Sequence, residues 1–270
     1  MPLTKGQVAA LEVLAAGRDP ESYVAGSTPL NRDQTRYSGD IDIFHDREER
    51  VRVAADEDAT RLANAGFSLN WQRRGGVYTL LAERDGETVK LEWVADSDFR
   101  FFPTVRDALF GYMLHPVDLA ANKAQAAANR RELRDLVDLV AIHETILPLG
   151  AVMWAAVEKA PGYTPEGLIA EIRRNSMHPA EEWRRLSSSE PIDPVVTTAK
   201  LRTALDEAEA FVKQMPTNKI GLLFIEESQV VQPDPARLDR YTTHAGQRRG
   251  HWPSSPEIAA AMMERYKEGL

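Results

Sequence analysis

The stretch GSTPLNRDQTRYSGDIDIF, residues 26–44, ends in a segment in which polar and apolar residues alternate. Alternation with a period of two predicts a β-strand over residues 40–44. Side chains two apart in a strand point the same way, so the carboxylates of Asp40 and Asp42 share one face. Two neighbouring carboxylates repel each other unless a cation neutralises them, and oxygen-only ligands suit Mg²⁺. An isolated Asp-x-Asp is more often a pair of solvent-facing acids, so the interpretation depends on the residues around it.

Two further features extend this candidate site along the chain. Gly26–Ser27 ends a predicted short strand over 23–25, where a glycine lets the backbone approach a phosphate and a serine hydroxyl can contact its oxygens. Glu92 is the one acid in the middle of a later predicted strand over 89–94, and a third carboxylate would complete a two-metal site. A plain turn and a surface glutamate are the alternative interpretations of these two features.

The segment after Pro116 is rich in alanine and carries charged residues at helical spacing. It predicts one helix over 116–129 and a second over about 131–146. Lys123 lies in the first helix, from which a long cationic side chain can reach into a cleft. Asp135 and Asp138 lie three apart in the second helix and share a face. Ion pairs on the helix surface with Arg131 and Arg134 are the alternative interpretation of these two acids.

The remaining pattern predicts the fold class. A polar loop is expected over 28–39, and the pair Asp85–Gly86 is a strong hairpin signal. We expect an α/β (α+β) fold, with a mixed sheet flanked by helices in a catalytic domain over 1–115 and a mainly helical domain over 116–270 that contributes to the active-site cleft. The other predicted elements are helices at 7–14, 48–65, 195–215 and after 256, and strands at 67–71, 77–82 and 220–225, the last paired with 230–231.

Bulk composition excludes several classes of protein. The chain has 270 residues, a formal net charge of −8 and no cysteine. The negative charge argues against a protein that coats nucleic acid non-specifically, and the lack of cysteine excludes disulfides and thiolate metal sites. No stretch approaches the ~20 apolar residues that a membrane helix needs, and the N-terminus lacks the cleavage site of a secretory signal. We therefore expect a cytoplasmic protein without membrane contacts.

Histidine and tryptophan add little to the candidate site. None of the six histidines has the spacing of a zinc site. His45 follows the predicted catalytic strand and could contact substrate, with a surface histidine as the alternative interpretation. Trp252 lies in a basic, proline-flanked loop and could stack on a base, although core or interface packing is the more common role of tryptophan.

Residues 26–44 resemble the signature of the DNA polymerase beta-like nucleotidyltransferase superfamily, in which Gly-Ser, a loop and Asp-x-Asp on the next strand follow one another. The pattern Arg36-x-Ser38-x-Asp40 and the later K…R…RDLVDL are similar to the AbiEii/AbiGii-type toxin branch of that superfamily. The resemblance covers roughly residues 20–145. It implies a nucleotidyltransferase fold and an enzyme that uses a nucleoside triphosphate.

The resemblance also implies a role for each matching residue. Asp40 and Asp42 would bind two Mg²⁺ ions, and Glu92 would complete the site and help to deprotonate the acceptor hydroxyl. Gly26 and Ser27 would hold the β- and γ-phosphates. Lys123 would neutralise the triphosphate, and Asp135 would orient Lys123 or the acceptor. Arg36 and Ser38 would brace the loop against the catalytic strand. The implied nucleotide-binding residues are thus Gly26, Ser27, Arg36, Ser38, Lys123 and Asp135.

Three functions remain open at this point. The leading hypothesis is a metal-dependent enzyme that moves a nucleoside monophosphate from an NTP to a hydroxyl of tRNA, another RNA or a protein. As a toxin-like component of a toxin–antitoxin or abortive-infection system, it would have a cognate antitoxin as partner. The alternatives are an antibiotic nucleotidyltransferase that modifies an aminoglycoside or lincosamide, and a non-catalytic nucleotide-binding module. The intact Asp40/Asp42 pair argues against the non-catalytic module.

Overall fold

The computed structural model describes residues 2–97, 99–160 and 162–248. These residues form two compact units, which are described separately. The first consists of residues up to 97 and of 103–115, and the second consists of 99–102 and 116–248. The helix predicted after residue 256 and the stacking role considered for Trp252 lie outside the described residues.

The first unit contains most of the strands. Its N-terminal half consists of α1 (Lys5–Ala15), β1 (Ser22–Ala25), α2 (Ser27–Asn31), β2 (Ile41–His45) and α3 (Glu48–Asn64). Then follow β3 (Ser68–Gly75), β4 (Val77–Arg84), β5 (Glu87–Ala95), β6 (Phe99–Arg100), which belongs to the second unit, β7 (Val105–Asp107) and β8 (Gly111–Met113). The predicted hairpin joins β4 to β5, and both Asp85 and Gly86 have positive φ angles, as a tight hairpin turn requires.

Seven of these strands form one mixed sheet, in the order β3-β4-β5-β2-β1-β8-β7. The pairs β2–β5 and β1–β8 are parallel, and the other neighbours are antiparallel. Helices α1 and α3 pack against the sheet through a core that includes Leu11, Leu62, Ile41 and Ile43. Because the two isoleucines of β2 are buried in this core, Asp42 between them points to the opposite face. The predicted mixed sheet flanked by helices is confirmed.

The second unit is mainly helical in its described part. Asp193 caps the longest helix by accepting hydrogen bonds from the backbone of Val195 and Val196. No single described helix is long and apolar enough to cross a membrane. The helix pair Leu133–Thr145 and Leu149–Lys159 reaches that length and apolar composition only when both helices are counted together, and it is bent by 113°. The helices are α4 (Pro116–Asn129), α5 (Leu133–Thr145), α6 (Leu149–Ala156), α7 (Pro165–Asn175), α8 (Ala180–Arg185) and α9 (Pro194–Gln214).

Two small sheets complete this unit. One has the order β10-β9-β11 and contains the antiparallel pair that the sequence predicts near 220–231. The other pairs β12 with β6. The strands are β9 (Leu223–Glu226), β10 (Gln229–Val231), β11 (Thr242–His244) and β12 (Gln247–Arg248).

The structure corrects the sequence prediction between residues 27 and 113. The stretch 28–39 is not a continuous loop, because Ser27–Asn31 forms α2, where the Asn31 side-chain amide donates to the Ser27 carbonyl. Strands β6, β7 and β8 are not predicted by the sequence. Strands of two or three residues are too short to show an alternating pattern, and the five residues of α2 make little more than one helical turn.

Candidate active site

Three carboxylates meet on the face of the sheet opposite α1 and α3. Asp40 immediately precedes β2, Asp42 lies within β2, and Glu92 lies within β5. The parallel register places Asp42 directly beside Glu92. One oxygen of each carboxylate lies within 4.8 Å of the other two, and all three residues are partly buried. The structure therefore brings together the three acids that the sequence singled out as metal ligands.

A lysine that the sequence analysis did not assign to the site contacts two of these acids. The Nζ atom of Lys90 lies 3.3 Å from Oδ2 of Asp40 and 2.8 Å from Oε1 of Glu92. Partial burial acts to lower the pKa of Lys90, but hydrogen bonds and charge from Glu92 and Asp40 outweigh it and hold that pKa above its ordinary value. The signal was present in the sequence, because Lys90 and Glu92 lie two apart in one strand and so share a face.

Thr79 fixes the orientation of Glu92. It lies opposite Glu92 in the β4–β5 ladder, and its hydroxyl donates a hydrogen bond of 3.3 Å to Oε1. Lys90 contacts the same oxygen. Within the part of the chain that the structure describes, no hydrogen bond reaches Oε2 of Glu92. That oxygen is therefore available to accept a proton or a ligand.

Gly26 brings the backbone against the carboxylate of Asp42. It follows β1, whose last residue, Ala25, pairs with Asp42, and it adopts a φ of +65°. A Cβ atom at this position would lie 1.9 Å from Oδ2 of Asp42. Both the backbone conformation and the close approach therefore require glycine. Ser27, the next residue, is buried at the start of α2.

The loop that precedes β2 is tied to the backbone of Asp40. The hydroxyls of Ser38 and Thr28 donate to the Asp40 carbonyl at 2.9 Å and 2.6 Å. Arg36 is buried and donates to the carbonyl of Tyr37 at 2.7 Å. These contacts hold the loop against β2. Thr28 is a further residue that the sequence analysis missed, although its hydroxyl follows the Gly-Ser pair directly.

The second unit holds a separate cluster around Lys123. Its Nζ atom lies 2.8 Å from Oδ1 of Asp135 and 3.0 Å from Oδ2 of Asp138. Arg130 also donates to Asp135, through Nε at 2.7 Å and Nη2 at 3.1 Å. Both acids are buried, so the alternative interpretation of surface ion pairs with Arg131 and Arg134 is wrong. Helix amphipathicity accounts for the difference, because both acids lie on the inward face of α5.

The ionisation of Asp135 is set by these partners. Burial acts to raise the pKa of Asp135, but the hydrogen bonds from Arg130 and the charge and hydrogen bond of Lys123 outweigh it. The pKa of Asp135 therefore lies below its ordinary value, and the carboxylate stays charged in the interior of the unit.

His45 lies at the end of β2 that is remote from Asp40. It is buried rather than on the surface, and its Nδ1 atom accepts a hydrogen bond of 3.0 Å from the backbone of Arg47. Desolvation by burial lowers the pKa of His45. A neutral, buried imidazole with this partner fixes the turn into α3.

Comparison with solved structures identifies the class of fold. The structure is similar to the nucleotidyltransferase toxin MenT4 from Mycobacterium tuberculosis, with a TM-score of 0.57 and 17% identity over 79% of this chain and 84% of that one. A putative nucleotidyltransferase from H. pylori aligns with a TM-score of 0.46 and 16% identity over 76% of this chain and 92% of that one. No curated protein matches the sequence significantly. The likeness to MenT4 shows that the chain has a nucleotidyltransferase fold.

The family follows from the sequence model described as "Nucleotidyl transferase AbiEii toxin, Type IV TA system", which matches residues 15–207. Since this match covers more than half of the chain, the protein belongs to the AbiEii nucleotidyltransferase toxin family of type IV toxin–antitoxin systems. The resemblance inferred from residues 26–44 is confirmed. The match also extends well beyond residue 145, through α7 and α8 and into α9.

Proposed function

We propose that the protein transfers a nucleoside monophosphate from an NTP to an acceptor hydroxyl of RNA or protein, with tRNA as the first candidate, and that Mg²⁺ is held by Asp40, Asp42 and Glu92. The observation that supports this most directly is the convergence of these three carboxylates within 4.8 Å of one another. Membership of a nucleotidyltransferase family supports the type of reaction, and the three acids support the position of the metal site.

The residues present fit a divalent cation. All three donors are carboxylate oxygens, which are the ligands that hard cations prefer. The cluster already attracts a positive group, since the ammonium of Lys90 contacts two of its members. When bound, Mg²⁺ would stabilise the negative charge that develops on the entering and leaving oxygens.

The residues of the chain would position and deprotonate the reactants. The acceptor oxygen forms a bond to the α-phosphorus while the bond to the β-phosphate oxygen breaks and pyrophosphate leaves. The hydroxyl proton goes to Glu92, whose Oε2 atom accepts no hydrogen bond among the described residues. Gly26 lets the triphosphate approach Asp42 because no Cβ atom stands between the backbone and that carboxylate.

The nucleotide-binding roles remain part of this proposal. Gly26 and Ser27 would hold the phosphates, while Arg36 and Ser38 would keep the loop against β2. Lys123, oriented by Asp135, would balance charge on the triphosphate. The division into a catalytic domain over 1–115 and a helical domain over 116–270 that contributes to the cleft also stays a proposal, as do the cytoplasmic location and an antitoxin protein as partner.

Labelled transfer tests this function. The purified protein is incubated with Mg²⁺, each α-labelled NTP and separate pools of tRNA, total protein, and aminoglycoside or lincosamide drugs. We expect label in tRNA, and a loss of at least about 100-fold in Asp42→Asn, the scale of losing one charge-stabilising group. Glu57→Gln, an exposed acid of α3, is the matched control and should retain full activity.

The other outcomes separate the alternatives. Label in the drugs alone would support the antibiotic-modifying enzyme, and label in protein alone would replace RNA as the acceptor. Binding of NTP without transfer to any pool would leave the non-catalytic module as the remaining function. Full activity in Asp42→Asn would contradict the site assignment.

A further inference from the structure

Lys90 has an unusual position for a surface lysine. In the parallel ladder Ile41 pairs with Leu91, so one step back along both strands places Asp40 beside Lys90. Strand β5 thus places Lys90 beside Asp40 and Glu92 beside Asp42. The Lys90 side chain is 39% exposed, whereas that of Asp40 is 16% exposed. The charged end of a half-exposed lysine therefore lies inside the carboxylate cluster.

The contacts of Lys90 involve oxygens that a metal would need. They reach Oδ2 of Asp40 and Oε1 of Glu92, at 3.3 Å and 2.8 Å. Across the described ranges 2–97, 99–160 and 162–248, no second cation forms a salt bridge with either acid. Among these three contacting side chains, two carboxylates face one ammonium, so the group keeps a net negative charge.

We propose that Lys90 is an internal counter-ion that competes with a divalent metal for Asp40 and Glu92, so that metal binding displaces its ammonium. The inference rests on the proposed function, in which these carboxylates hold Mg²⁺. The competition follows from charge and space. An ammonium and a divalent cation repel each other, and both require the same two oxygens. The exposure of Lys90 leaves its flexible side chain free to move toward solvent when it is displaced.

This arrangement has a consequence for how the metal arrives. A free divalent ion must replace the lysine with no compensation beyond the carboxylates themselves. A metal bound to a triphosphate brings additional oxygens and negative charge, to which the displaced ammonium can turn. Lys90 therefore favours binding of the metal–nucleotide complex over binding of the metal alone.

Binding of Mn²⁺ alone tests the competition without any measurement of activity. Free Mn²⁺ is quantified by electron paramagnetic resonance for the wild type, Lys90→Met and Lys90→Arg. We expect Lys90→Met to bind Mn²⁺ roughly three- to tenfold more tightly, the effect of removing two partly exposed ion pairs that oppose the metal. Lys90→Arg keeps the positive charge and should stay close to the wild type.

A control separates the local effect from the change in net charge. Lys213→Met also removes one lysine, but its partner is Glu209 on the exposed face of α9. We expect this variant to bind Mn²⁺ with wild-type affinity. A second readout is the melting temperature in EDTA, which should fall in Lys90→Met through unrelieved carboxylate repulsion and recover more on addition of Mn²⁺ than in the wild type.

Asp42→Asn distinguishes failure of this inference from failure of the proposed function. If wild-type protein shows no Mn²⁺ binding that Asp42→Asn abolishes, the metal site itself is wrong and both fall. If Asp42→Asn loses Mn²⁺ binding while Lys90→Met matches the wild type or binds more weakly, only the competition is overturned. Tighter binding in Lys90→Met alone, with circular dichroism unchanged, supports it.

Discussion

Two clusters of acids in this chain each bind a lysine, and they differ in how far their charge is balanced. On the sheet of the first unit, the ammonium of Lys90 contacts two of the three partly buried carboxylates, those of Asp40 and Glu92. In the second unit, the buried acids Asp135 and Asp138 contact two cations, Lys123 and Arg130. When only the side chains in contact are counted, the first cluster has two carboxylates for one cation and the second has two carboxylates for two cations.

The difference follows from what burial requires. Charges that leave water completely must be paired and hydrogen-bonded, so the second cluster is balanced because it is buried. A partly exposed cluster with excess charge adds little to stability, and such local conflicts concentrate at functional sites. Neutralising one acid should therefore have different effects in the two places. It should lower stability in the second unit and leave it nearly unchanged, or raise it, on the sheet.

The largest expected effect is on stability and contrasts Asp135→Asn with Asp42→Asn. Asp135→Asn removes the carboxylate charge that Lys123 and Arg130 both contact. We expect the free energy of unfolding to fall by about 3 kcal/mol. Asp42→Asn removes a repelling charge and should change that free energy by less than about 1 kcal/mol. Urea denaturation followed by circular dichroism measures both.

An exposed ion pair provides the control for this contrast. Glu144→Gln removes the acid that contacts Lys200, both side chains being exposed, and its effect should not exceed about 0.5 kcal/mol. If Asp42→Asn were as destabilising as Asp135→Asn, the sheet cluster would be a structural ion network and the distinction drawn between the two clusters would be lost.

A smaller effect is expected in the acid dependence of stability. The pKa of Asp135 lies below its ordinary value of 3.8, so near that pH the unfolded chain binds a proton that the folded protein does not. Stability from this group is complete well above the unfolded pKa and is lost as pH falls toward the folded pKa, by up to about 1.4 kcal/mol per pH unit. Urea midpoints measured between about pH 5 and pH 3 should fall less steeply in Asp135→Asn than in the wild type. Equal slopes would show that Asp135 titrates normally.

Most of the fold follows from periodicity in the sequence. Strand β2 and helix α3 are long enough to show their apolar pattern, and the Asp85–Gly86 turn defines the hairpin between β4 and β5. Strand β8 could not be predicted, because three residues carry no period and its pairing with β1 joins residues distant in sequence. The sheet order likewise depends on tertiary pairing that local patterns do not encode.

The candidate site shows the same division. The spacing of Asp40 and Asp42 predicts a shared face, and the structure adds the register that places Glu92 beside Asp42. Lys90 was visible on the same face as Glu92, but only the strand register shows that its ammonium reaches Asp40. Glu92 could be named from the sequence because it is the one acid in the middle of its predicted strand, whereas the contact of Lys90 with Asp40 had to come from the structure.

The smallest expected effect concerns Thr79, whose hydroxyl donates one hydrogen bond of 3.3 Å to Oε1 of Glu92 in the first cluster. Thr79→Val keeps the shape of the side chain but removes the donor. We expect kcat/KM for nucleotide transfer to fall about two- to fivefold, with the free energy of unfolding changed by about 1 kcal/mol or less, the scale of one neutral hydrogen bond. Thr88→Val, at an exposed position of β5 opposite Glu83, is the matched control and should leave transfer unchanged. A loss above about 100-fold in Thr79→Val would mean that the first cluster, on the sheet, is as tightly organised as the buried second cluster.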